Sequence, residues 1–299
     1  MVPPSLVGRK VAILGAGKVG CAVGVTLGKA GLPVVAVTTR SARTATQAAH
    51  LTGGAPCTDN PCAAALADIV LVTTNDDAIA QVVSQVAEAG AFRSGQLVIH
   101  MSGALRLDVL EPAARAGALI GAAHPLRSFA TYYQAVRDIP GSVFGVTAGP
   151  DAAEELAAVV RLLDGSPQSV PDDKKIFYHA AAVMASNYLV AVEDMAAQLL
   201  ADAGFDESIA LEALGPLARG TLENVVELGA TNALTGPIVR GDIETVRGHI
   251  AALEGLPADR LELYKALGRH TLAVARRRGV LPDGTLAELR DLLGPSDGA

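Results

Sequence analysis

Tryptophan is absent from the 299 residues, and aromatic side chains make up only 3% of them. So few flat rings argue against a stacking platform for single-stranded nucleic acid. Charge of one sign is also short: 24 lysines and arginines face 31 aspartates and glutamates, a formal net charge of −7. That balance argues against a protein that tracks a phosphate backbone, so no nucleic-acid partner is expected. Only three cysteines occur, Cys21, Cys57 and Cys62. They have no metal-site spacing, no metal is expected, and their odd number suits a reducing compartment. The opening MVPPSLVGRK lacks the apolar centre of a signal peptide, and no charge-free run reaches membrane-spanning length. A cytoplasmic protein without a membrane partner is the expectation. What is abundant is small and apolar: half the residues are hydrophobic, ample material for a core.

The most informative stretch is 10–20, KVAILGAGKVG. Val11 to Leu14 read as a buried strand, and Gly15, Gly17 and Gly20 fill a G-x-G-x-x-G frame before an apolar helix. In a dinucleotide site the first glycine permits a tight turn, the second lets backbone approach a pyrophosphate, and the third brings helix against strand. The helix N-terminus supplies free N–H groups and a positive dipole end. Gly15, Ala16, Gly17, Lys18, Val19 and Gly20 are therefore candidate cofactor ligands. The alternative is a plain strand–turn–helix corner.

The second strand, 33–39 (PVVAVTT), ends without the acidic residue that receives the ribose hydroxyl of NAD. Thr39, Arg40, Ser41 and Arg43 follow instead. A guanidinium there holds a 2′-phosphate in a forked, charge-assisted contact, which selects NADP(H). The alternative is an ordinary solvated arginine.

Further strands are predicted at 69–73, 96–100, 118–123 and 142–147, alternating with helices at 41–51, 64–68, 76–89, 107–116 and 151–163. This alternation predicts a doubly wound, mostly parallel α/β sheet. Ligands of such sheets lie beyond the carboxyl ends of the strands, where Thr74, Asn75, Ser102 and His124 fall. From 172 onward the pattern is all helical, over 172–203, 206–228, 242–253, 257–278 and 282–293. The expected domains are residues 1–170 and 171–299.

In the helix beginning near 174 (KKIFYHAAAVMASNY), His179, Ser186 and Asn187 interrupt an apolar run. At about 100° per residue, His179 and Ser186 lie within roughly 20° of each other on a continuous helix. Buried polar groups are costly without partners, so they suggest a ligand cleft. A purely structural role, tying neighbouring helices together, carries similar weight.

The segments GAGKVG, His100-Met101-Ser102-Gly103, Ala123-His124-Pro125-Leu126, 179–187 and 234–242 (LTGPIVRGD) carry a resemblance. The chain resembles the dehydrogenase superfamily that joins an N-terminal Rossmann domain to an all-helical C-terminal domain. Ketopantoate reductases, 3-hydroxyisobutyrate dehydrogenases and pyrroline carboxylate reductases belong to it. More closely, it resembles a branch of Rossmann-like oxidoreductases with a helical domain of unknown function. The resemblance implies an NADP-dependent oxidoreductase that reduces a small carbonyl or imine, such as a 2-oxo acid of the ketopantoate type, and works as a homodimer. The superfamily's interdomain helix carries a lysine and two asparagines. Matching the second asparagine to Asn187 puts His179 at the lysine position and Val183 at the first asparagine. His179 is then the first candidate proton donor, with His124 and Lys175 as alternatives. Asn187 and Ser102 would orient the substrate, with Ser186 beside them. Arg240 and Arg127 would pair with a carboxylate. Asp242 matches an acidic loop position, or caps the following helix. A rival reading is an NADP(H)-binding sensor or structural protein without turnover.

Overall fold

The structure is a computed structural model that describes residues 2–295. The chain falls into two compact units, Met1–Asn187 and Tyr188–Ala299.

The first unit is built on eight strands: β1 (Val11–Leu14), β2 (Val34–Thr38), β3 (Ala55–Cys57), β4 (Ile69–Val72), β5 (Leu97–His100), β6 (Leu119–Pro125), β7 (Val143–Ala148) and β8 (Ser166–Ser169). Their order across the sheet is β3-β2-β1-β4-β5-β6-β7-β8. Every neighbouring pair is parallel except β6 and β7, where Gly121 lies opposite Ala148 and Pro125 opposite Phe144. The helices are α1 (Lys18–Lys29), α2 (Ala42–Thr52), α3 (Asn60–Ala65), α4 (Asp76–Glu88), α5 (Glu111–Arg115), α6 (Tyr132–Asp138), α7 (Pro150–Leu162) and α8 (Lys175–Ala185). Alternation along β1 feeds two cores. Val11 and Ile13 join Leu27, Leu156 and Phe144, whereas Ala12 and Leu14 join Val72, Val83 and Leu110 on the opposite face. A strand buried on both faces reads as a continuous apolar run, and β1, β4 and β5 do so. The chain leaves β1 for β2 on one side and returns to β4 on the other, so the topological switch point falls between β1 and β4.

The doubly wound, mostly parallel sheet is as the sequence predicts. Two strands were not foreseen. The segments β3 (APC) and β8 (SPQS) are short edge strands with exposed residues, so neither carries an apolar pattern. Helix α6, also unforeseen, starts with a reciprocal capping box between Thr131 and Gln134. The compact division comes after Asn187, later than the expected 170/171 boundary, because α8 is tied into the first unit. Lys175 Nζ donates to Ser102 O (3.1 Å) and Tyr178 Oη donates to His124 O (3.0 Å). The single helix expected over 172–203 is broken at Ser186 (φ −122°, ψ −67°), which ends α8.

The second unit contains α9 (Asn187–Asp202), α10 (Glu207–Ala233), α11 (Pro237–Arg240), α12 (Ile243–Leu253), α13 (Ala258–Arg278) and α14 (Asp283–Leu293), with no strand among the described residues. Ile238, Val246, Ile250, Leu272, Leu289 and Leu293 form its core. Gly268 permits this packing, since a Cβ there would stand 2.6 Å from Leu293 Cδ2. By contrast, α9 buries no residue and α10 buries only Ala210. No helix among the described residues is long and apolar enough to cross a membrane.

Candidate dinucleotide and substrate site

The three loop glycines do three different things. Gly15 has φ +82°, and a Cβ on it would lie 2.3 Å from Thr74 Cγ2. Its N–H reaches Thr38 O (3.1 Å), pinning the turn after β1 to the end of β2. At Gly20 a Cβ would meet Thr73 Oγ1 at 2.2 Å, so this glycine sets how closely α1 approaches the sheet. Gly17 is different: a Cβ there meets nothing nearer than Gly15 O, at 4.0 Å. It is the residue preceding α1 and has no side-chain cap. The protein leaves this space empty at the positive end of a helix, where a phosphate is stabilised.

Beyond β2, Ser41 caps α2 by accepting from Thr44 N–H (3.2 Å), and the Thr39 and Thr44 hydroxyls lie 2.6 Å apart. Arg40 and Arg43 are exposed beside this hydroxyl cluster. Among the described residues neither guanidinium has an ion pair. No carboxylate therefore occupies them, and hydroxyls and guanidinium together suit a phosphomonoester.

A cavity of about 580 Å³ opens along the carboxyl ends of β1, β4, β5 and β6. Gly17, Lys18 and Val19 line one part, Thr73 to Asp76 another, and Ser102, Gly103, His124, Arg127 and His179 the rest. Two buried polar atoms among these residues have no protein partner, Thr74 Oγ1 and His179 Nδ1. Orphaned donors and acceptors of this kind are rare unless water or a ligand satisfies them. Gly103 makes the approach of the imidazoles feasible, since a Cβ there would stand 2.9 Å from His179 Nδ1 and 3.1 Å from His124 Cε1. The two rings cross edge-on with centroids 6.0 Å apart.

Residues 5–125 match the model of a Rossmann-like domain, and residues 142–271 match that of a domain of unknown function, DUF2520. Several solved structures share the fold of this chain. Thermotoga maritima protein TM1727 is 23% identical with a TM-score of 0.71, over 90% of this chain and 99% of that one. An Aspergillus terreus reductive aminase in complex with NADPH and ethyl-5-oxohexanoate is 19% identical with a TM-score of 0.60, over 95% and 92%. A Plasmodium falciparum pyrroline carboxylate reductase with NADP bound is 12% identical with a TM-score of 0.60, over 96% and 99%. At these identities the likeness shows the fold. No curated protein matches the chain by sequence.

The cavity contains residues from both matched regions, because His179 belongs to the DUF2520 segment and the glycine loop to the Rossmann-like one. Several sequence expectations change here. The Ser102 hydroxyl donates to Asp76 Oδ2 (2.7 Å) and accepts from Ala104 and Leu105 N–H, so it is fully used in holding its own turn. Lys175 is buried and gives Ser102 O a hydrogen bond, but it does not line the cavity; burial lowers its pKa. Ser186 and Asn187 do not line it either, because the helix that would have aligned them with His179 stops at Ser186. In the second unit, Asp242 caps α12 by accepting from Thr245 N–H (3.2 Å) and Thr245 Oγ1 (2.7 Å), the structural alternative foreseen for it. Arg240 is exposed at the end of α11.

Three residues escaped the sequence reading. Asp76 anchors Ser102. His100 is fully buried and accepts Ser102 N–H at Nδ1 (3.2 Å), while burial and then the Lys175 charge push its pKa down to about 3. Tyr178 contacts His124. His124 itself is held down to about 4, first by burial and then by His179 and Lys175, and so is neutral near pH 7.

Proposed function

We propose that this protein is an NADPH-dependent reductase of a small carbonyl or imine compound, with 2-oxo acids of the ketopantoate type as the leading class. The observation that carries this reading is the cavity that runs from the open space at Gly17 to the imidazoles of His124 and His179. Solved proteins of the same fold include a reductive aminase in complex with NADPH and a pyrroline carboxylate reductase with NADP bound. The N–H groups at the start of α1 would hold the pyrophosphate, and Arg40 with the Thr39 and Ser41 hydroxyls the 2′-phosphate. Bound NADPH supplies the hydride. His179 is the proposed proton donor to the reduced substrate, and Arg127, exposed at the cavity edge, the partner of a substrate carboxylate. The polar imidazoles line the cavity while Val183 and Met184 do not, which favours turnover over a sealed sensor. Purified protein that binds NADPH yet oxidises none of it across a panel of 2-oxo acids and cyclic imines would return the reading to the sensor.

Cofactor choice has its own test. NADPH is expected to bind more tightly than NADH, and Arg40→Asp to narrow or reverse the difference by about 1–3 kcal/mol, the strength of a charge-assisted contact. Equal affinities of the wild type by calorimetry would remove Arg40 from the 2′-phosphate.

We also propose a homodimer. Leu211, Leu217, Leu222 and Val226 of α10 are 57%, 69%, 58% and 78% exposed. Apolar surface on this scale is normally covered by a partner, and symmetric pairs are the commonest solution. Light scattering at micromolar concentration is expected to give twice the 30.4 kDa chain mass. A monomer would overturn the dimer.

A further inference from the structure

Tyr178 joins α8 to the end of β6 through two contacts on one residue. Its hydroxyl lies 3.0 Å from His124 O and 3.0 Å from His124 Nδ1. A carbonyl oxygen only accepts, so the single phenol proton points to it. The phenol oxygen then meets Nδ1 with a lone pair, and that second bond exists only if Nδ1 carries the imidazole proton. With the proton on Nε2 instead, the phenol would have to serve two acceptors with one hydrogen. Packing holds this arrangement in place. The two rings cross at 88° with centroids 5.5 Å apart. Gly145, facing His124 across the β6–β7 pair, makes room for the phenol, since a Cβ there would lie 2.6 Å from Tyr178 Cζ.

We propose that Tyr178 is a positioning residue that fixes His124 as its Nδ1–H tautomer, leaving the Nε2 lone pair to the cavity as a hydrogen-bond acceptor for a ligand O–H or N–H. His124 lines the cavity and its other nitrogen is engaged, so Nε2 is the atom a ligand meets. The charges around it support a neutral ring: burial, His179 and Lys175 all lower its pKa, against which only Asp76 acts. Burial also raises the pKa of Tyr178, which keeps its proton. A substrate that turned a bare carbonyl oxygen toward His124 would set lone pair against lone pair, whereas a hydroxyl, amine or protonated imine nitrogen would be held. Proton donation during reduction then falls to His179, which is outside the Tyr178 pair. The tautomer itself is independent of the reductase reading. Only the identity of the ligand as substrate rests on it.

The test is the two-bond ¹H–¹⁵N correlation spectrum of ¹⁵N-histidine-labelled full-length protein near pH 7, with the His124 signals assigned by their loss in His124→Gln. The expected wild-type pattern is a protonated Nδ1 and an unprotonated Nε2. In Tyr178→Phe the same ring is expected to shift to a mixture of tautomers, while calorimetric affinity for NADPH stays within about twofold, as the phosphate loop lies elsewhere. A wild-type His124 protonated at Nε2 overturns the proposal whether or not the variant folds. An unchanged tautomer in folded Tyr178→Phe overturns the role of Tyr178. Failure of the wild type to bind NADPH, with the Nδ1–H pattern intact, would instead strike at the reductase reading.

Discussion

Gly17→Val is expected to leave a folded protein that no longer binds NADPH. Gly17 has φ −82° and ψ −157°, extended backbone that any L-residue adopts. A Cβ there touches nothing nearer than 4.0 Å. The fold is therefore nearly indifferent to a side chain, apart from the weak preference against valine before a helix, about 1 kcal/mol. The space that valine would fill is the one a pyrophosphate needs at the start of α1. An affinity loss beyond about 100-fold, or about 2.7 kcal/mol, is expected by calorimetry. The neighbouring glycines behave differently. Gly20→Val would drive a side chain to 2.2 Å from Thr73 Oγ1, and Gly15→Val would add a clash with Thr74 to a positive φ. Both are expected to lower the melting temperature sharply. Retained NADPH binding in a folded Gly17→Val protein would sink the phosphate-loop reading.

The same contrast explains what was legible. The unit from β1 to α1 is local: its strand, turn and helix are adjacent in sequence, so its glycine pattern is readable even though Gly15 and Gly20 make room for Thr74 and Thr73 beyond β4. Its place in the sheet follows from wholly buried parallel strands, which announce themselves as apolar runs. The helical second half was legible because helix formation is set by near neighbours along the chain. The site beyond the loop was legible only in part. His124 and His179 do share the cavity, but the angular argument that joined His179 to Ser186 and Asn187 assumed a continuous helix. The break at Ser186 falls between Ala185 and Asn187, with no glycine or proline to mark it. Asp242 carried two readings, and the local one holds, since an N-cap needs only a backbone N–H in the first turn, here that of Thr245, whose hydroxyl adds a second bond. Tyr178, Asp76 and His100 acquire their meaning from partners on other elements. Tyr178 and His124 are 54 residues apart, and Ser102 and Asp76 are 26 apart. Such pairings depend on the sheet order and leave no periodic trace.

The largest catalytic effect is expected from His179→Ala. His179 Nδ1 is buried without a hydrogen-bond partner, a state that costs free energy and that a bound substrate or an ordered water would relieve. Removing this ring deletes no hydrogen bond from Nδ1 to the protein. The melting temperature should therefore hardly change. If His179 delivers the proton, turnover should fall by about 10²–10⁴-fold, the usual worth of a positioned general acid, with NADPH affinity unaltered. His124→Ala provides the control, because it cuts the contact with Tyr178 Oη and should lower the melting temperature as well as activity. The two measurements on the same variants separate catalysis from packing. A His179→Ala protein that melts earlier yet turns over at the wild-type rate would show that the ring only fills space. That outcome would take the proton-donor role away from His179.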